Sequence, residues 1–136
     1  MANNSSIQLL YRSDLDLLTV RWLADSPLSE LQAEYDAVLA TDQARHTGRW
    51  LLDVRRRPIP TAEATQWVTY DWLPRAAAAL APAQLRLAYL ISPSRKEVPR
   101  TDTTLRPTVQ DTLAPKRLYT LSLFADEGEA VRWLTA

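Results

Sequence analysis

Two loops rich in cations follow two apolar runs. Arg55, Arg56 and Arg57 come directly after Trp50-Leu51-Leu52-Asp53-Val54, and Arg95 and Lys96 come after the run Leu85 to Ile91. Guanidinium and ammonium groups recognise phosphate and carboxylate through charge and directed N–H donors. If the two runs are neighbouring parallel strands, their following loops share the carboxyl edge of the sheet, where α/β proteins bind ligands. Five cations would then crowd one rim. Thr61 stands at an expected helix start and adds a hydroxyl and free backbone amides. The arrangement suits an anionic small molecule or a lipid headgroup. A plainer alternative stays open: solvated basic loops neutralised by Asp53, Glu63 or Glu97, with Thr61 an ordinary N-cap.

Aromatic spacing points to a second surface. Trp67, Tyr70 and Trp72 lie on one expected helix at offsets of three and two. At 100° per residue they span more than one helical face, so at least one ring is expected outside the core, on a partner or lipid surface. Cover from elsewhere in the chain is the alternative, since Pro74 can kink the helix and present two faces. Trp22, Trp50 and Trp133 are expected in the core.

Other chemistry is constrained by what the chain lacks. It has no cysteine, which excludes disulfides, thiolate nucleophiles and iron–sulfur ligation. Its two glycines, Gly48 and Gly128, are too few for a P-loop or a dinucleotide fingerprint. The single histidine, His46, is expected as a solvated residue at a helix end. Asp14 with Asp16 fits a turn, and Glu127 with Glu129 fits a helix start. No catalytic residue, metal site or cofactor is expected. Sixteen basic and sixteen acidic residues balance, so no global field draws nucleic acid or an anionic membrane.

These side chains need elements to position them. Ile7–Tyr11 and Leu17–Leu23 read as a hairpin around Ser13, Asp14 and Asp16. Ser26 and Pro27 open a helix carrying Leu28, Leu31, Tyr35, Val38 and Leu39, in a helical region that ends at Gly48. Trp50–Val54 and Leu85–Ile91 read as buried central strands. Thr61 caps a helix that Pro74 should kink or restart and Pro82 should stop. Leu105, Val109 and Leu113 suggest a short helix, Leu118–Phe124 a last strand, and Asp126 with Glu129 the capping box of a final helix. The expected fold is α/β: one domain over residues 1–136, with a mostly parallel five-stranded sheet, an antiparallel N-terminal edge hairpin and about four helices. The polar start, Met1 to Ser6, carries no secretory signal, and no run approaches a membrane span. A cytoplasmic location is the expectation.

The hairpin followed by Ser26-Pro27-Leu28-Ser29-Glu30, the Trp50-Leu51-Leu52-Asp53 strand, the Leu87-Ala88-Tyr89-Leu90 strand, and the ending Phe124-Ala125-Asp126-Glu127-Gly128-Glu129-Ala130 with Trp133-Leu134 resemble the SpoIIAA-like branch of the STAS superfamily. That branch is often grouped with lipid-binding SEC14-type domains. The resemblance implies a non-enzymatic regulatory or interaction module that binds a protein partner or self-associates. Asp53 matches the acid of the family's phosphoswitch segment. Val54 and Arg55 to Arg57 stand where its serines and glycine would be, and Thr61 is the nearest hydroxyl at an equivalent helix start.

Overall fold

The computed structural model describes residues 7–24, 27–56, 61–81, 83–92 and 119–136. Ser26, Arg57, Pro58, Pro60, Pro82, Arg95, Lys96 and the expected helix around Leu105, Val109 and Leu113 lie outside the described residues.

Strands β1 (Ile7–Arg12) and β2 (Leu17–Trp22) pair antiparallel. Their connection is closed by Leu15 N–H donating to Arg12 O at 3.2 Å and by the Tyr11 hydroxyl donating to Asp16 at 2.9 Å. Asp16 takes φ 51°, a left-handed conformation that a short acidic side chain tolerates. Strands β3 (Arg49–Asp53), β4 (Leu85–Leu90) and β5 (Tyr119–Phe124) follow in spatial order, each parallel to its predecessor and β3 parallel to β2. The expected α/β fold is therefore present: a mixed five-stranded sheet with one antiparallel edge pair.

The sheet's two faces are dressed differently. Side chains alternate along a strand, so Leu18, Val20 and Trp22 of β2 share a face with Trp50 and Leu52 of β3 and Leu87 and Tyr89 of β4. The crossovers from β2 to β3 and from β3 to β4 pack there. Helix α1 (Leu28–Leu39) contributes Leu31, Tyr35 and Val38, and the second crossover contributes Trp72, Leu73 and Ala76. On the opposite face Leu17, Leu51, Ala88 and Leu90 meet Ala130 and Leu134 of the final helix, α5 (Glu127–Thr135). Burying these apolar groups is the main drive to fold, at about 25 cal/mol per Å².

Local chemistry sets the helix ends. The expected helical region before Gly48 divides at Thr41. Its hydroxyl donates to Val38 O at 2.7 Å, closing α1, and accepts from Ala44 N at 3.3 Å, opening α2 (Asp42–His46). One side chain ends one helix and starts the next. The second crossover runs from α3 (Ala62–Trp67) through a π-helical turn at Val68–Trp72 into α4 (Leu73–Leu80). Pro74 carries no N–H and crowds the preceding turn. The widened turn accommodates it without breaking the rod, so the expected kink takes the form of a π segment. The Asp126 carboxylate accepts from Glu129 N at 2.9 Å and starts α5.

Gly48 precedes β3 where the backbone ahead of β4 passes closest. A Cβ there would collide with the Gln84 carbonyl, and Gly48 O already accepts from Arg86 N at 2.6 Å. Gly48→Ala is expected to wedge β3 from β4 at their amino ends and to cost about 2 kcal/mol. Denaturant unfolding measures it; wild-type stability in the variant would show that the approach relaxes freely.

Candidate functional site

The site grows from one misfit in the strand pattern. β2 is apolar except for Thr19 and Arg21, and β3 is apolar after its first residue until Asp53. Arg21 and Asp53 are register partners across the parallel β2–β3 pair, so both point to the face that carries α5. There Arg21 Nη1 donates to Asp53 Oδ2 at 2.6 Å. A strand arginine and a strand carboxylate solve each other's burial.

Two more residues complete the cluster. Arg55, just past β3, turns back on Asp53: its Nε donates to Oδ1 at 3.0 Å, its Nη2 to Oδ2 at 2.9 Å, and its backbone N–H to Oδ1 at 3.1 Å. Glu127, the first residue of α5, accepts from Arg21 Nη2 at 2.9 Å and Nη1 at 3.2 Å, and lies 3.5 Å from Arg55 Nη2. The Asp53 side chain is 9% exposed, whereas Arg21, Arg55 and Glu127 are 31%, 43% and 40% exposed. Asp53 is thus a fixed anchor, and the other three meet solvent.

The charges act on one another as this geometry requires. Burial, the largest single influence on the Asp53 carboxyl, pushes its pKa up. The hydrogen bonds from the Arg55 side chain and backbone and from Arg21 outweigh it, so the carboxyl sits below its ordinary value of 3.8. Hydrogen bonding to Glu127, then to Asp53, raises the Arg21 guanidinium; hydrogen bonding to Asp53 raises that of Arg55. All three groups are charged at neutral pH.

Around this cluster opens a cleft of about 510 Å³ at the carboxyl ends of β2 and β3. Arg21, Asp53, Arg55 and Glu127 line it together with Gln8, Trp22, Leu23 and Arg56. Of the six residues expected at an anion site, Arg55 and Arg56 line it. Thr61 serves as the N-cap of α3, accepting from Ala64 N at 3.1 Å. Arg57, Arg95 and Lys96 lie outside the described residues. The loops that bear them do leave neighbouring strands on the same edge, with Val54 N donating to Leu90 O at 3.0 Å.

The aromatic surface needs correction. Trp72 is wholly buried, donating from Nε1 to Tyr35 O at 3.0 Å, and belongs to the core rather than to a partner surface. Trp67 is half-buried, edge-on to Tyr35 with Arg75 above its ring. Tyr70 is the outward ring, 57% exposed. Tyr70 and Trp72 are two residues apart and so lie on roughly opposite sides of the helical rod, which accounts for the division. Trp133 is also only half-buried, between Phe124 and the Arg86 guanidinium, while Trp22 and Trp50 are core residues. His46 is exposed in the last turn of α2, at the amino end of β3 and so away from the cleft.

Arg21 and Glu127 carried no functional expectation from sequence. A lone arginine among apolar strand residues was the available signal, since such a charge demands a partner on its own face. No helix among the described residues is long and apolar enough to cross a membrane, and no cluster of metal-binding side chains occurs among them. No known protein family, curated protein or solved structure matches the chain.

A group whose pKa is lower folded than unfolded stabilises the fold above its unfolded pKa, and that stability is lost as pH falls through the folded value. Asp53→Asn is expected to cost about 2 kcal/mol at neutral pH and to flatten the loss of stability below about pH 4. Urea unfolding across that range provides the check; parallel acid profiles for the two proteins would contradict it.

Proposed function

We propose that this chain is a non-enzymatic binding module whose site is the cleft over Arg21, Asp53 and Arg55, and whose ligand is an anion. The observation that carries this reading is the Glu127 carboxylate on the fork of Arg21. The protein itself holds a carboxylate in two-pronged fashion at a solvent-facing guanidinium, the geometry by which arginine recognises carboxylate and phosphate. Asp53 supports it by fixing both guanidiniums in advance, so little side-chain entropy is lost on binding. Arg56 brings a third cation to the wall.

Placement supports the same reading. The cleft sits at the carboxyl ends of parallel strands, where α/β sheets gather their loops. A regulatory role of STAS type, exerted on a protein partner or a second copy of the chain, is the setting suggested by the sequence resemblance. Exposed Tyr70 beside half-buried Trp67 favours a partner surface as a second reading, separate from the cleft.

The anion reading is tested by calorimetric titration of the full chain with acetate and with inorganic phosphate at low ionic strength. Saturable binding of at least one anion is expected, weakened about tenfold or more in Arg55→Ala, consistent with a charge-assisted pair of about 1.5 kcal/mol or more. No saturable binding, or an affinity indifferent to Arg55→Ala and Arg21→Ala, would remove the site.

A further inference from the structure

We infer that the ligand of this cleft is a monocarboxylate bearing a compact apolar substituent, and that it binds by taking the place of Glu127 on Arg21 and Arg55. This rests on the anion-binding reading above and adds the ligand's chemical class and manner of entry.

Charge balance selects the monoanion. The cleft is lined by three arginines, Arg21, Arg55 and Arg56, and by two carboxylates, Asp53 and Glu127, one positive charge at rest; release of Glu127 makes it two, and one arriving carboxylate restores the resting balance. Asp53 is nearly buried and takes bonds from Arg21 and Arg55, so it stays where it is. A dianion beside it would add a second negative charge in repulsion range of a carboxylate that cannot leave. A single carboxylate replaces like with like.

Displacement selects Glu127 as the group that yields. Its side chain is 40% exposed, and its bonds to Arg21 at 2.9 and 3.2 Å and its 3.5 Å approach to Arg55 are surface interactions of small net value. Released, it enters water at modest cost. α5 keeps its start, because the N-cap bond is made by Asp126 to Glu129 N and does not involve Glu127.

The shape of the cleft supplies the substituent. About 510 Å³ far exceeds what a carboxyl group fills. Leu23, 37% exposed, also lines the cleft, and a branched or short-chain apolar group against it would leave water. Gln8 also lines the cleft, and its amide can hydrogen-bond a polar atom on the ligand.

The test is calorimetric titration of the full chain with isovalerate, acetate and inorganic phosphate, in wild type, Glu127→Gln, Leu23→Ser and Arg55→Ala. Isovalerate is expected to bind about tenfold tighter than acetate, from the extra buried carbons, and tighter than phosphate. Glu127→Gln, which removes the internal competitor while keeping its shape, is expected to tighten isovalerate about fivefold; Leu23→Ser is expected to erase the advantage over acetate. If Glu127→Gln folds poorly, Glu127→Asp, whose shorter carboxylate reaches Arg21 less well, gives the same direction. Phosphate binding tighter than isovalerate, with dependence on Arg55 intact, would overturn the ligand class and leave the anion site standing. Glu127→Gln leaving isovalerate affinity unchanged or weaker would overturn the displacement. Indifference of every anion to Arg55→Ala would overturn the site itself.

Discussion

A carboxylate fixed at the end of a central strand, with nine-tenths of its side chain out of water, has to be answered by positive charge. Asp53 is that carboxylate, and much of the carboxyl edge is arranged around it. It takes Arg21 from the neighbouring strand and Arg55 from the loop that follows, and so sets the direction in which the chain leaves β3. Through Arg21 it also reaches Glu127 in the first turn of α5. One buried charge thereby ties together a strand pair and a loop exit.

The apolar architecture makes that arrangement possible. Crossover helices crowd one face with the rings of Trp22, Tyr35, Trp50 and Trp72, while the other face is served by α5, packed on β3, β4 and β5. The indoles meet their own polar demands inside this core: Trp22 Nε1 donates to Glu34, Trp50 Nε1 to Thr47 O and Trp72 Nε1 to Tyr35 O. With one face sealed in this way, the cleft opens on the other, at the end where Arg21 and Asp53 project and α5 begins.

Much of this frame is legible in the residues. Near-continuous apolar runs at Trp50–Val54 and Leu85–Ile91 mark strands buried on both faces, and the turn acids mark the hairpin. Thr61 and Asp126 cap the helices their side chains suit. Less legible was anything that depends on pairing across the sheet. A register that sets Arg21 opposite Asp53 is a property of two strands, visible in neither alone. Arg55 and Arg56 after β3 do line the cleft, yet Arg55 is engaged by Asp53 and Glu127 rather than standing as an open cation. Of the three rings on the second crossover, the spacing required at least one outside the core without saying which; Tyr70 is that ring, and Trp72, two residues on and so on the opposite side, is core.

The proposed anion site joins Arg21 and Arg55, organised by Asp53, with Glu127 as its resident occupant. NMR observation of the arginine side-chain N–H groups during a carboxylate titration tests it most directly. With a single site, the Arg21 and Arg55 signals are expected to move together and saturate at one midpoint, with the Glu127 amide moving alongside them. Signals of Arg21 and Arg55 that stay fixed, or that drift without saturation like those of Arg12 and Arg75, would contradict it.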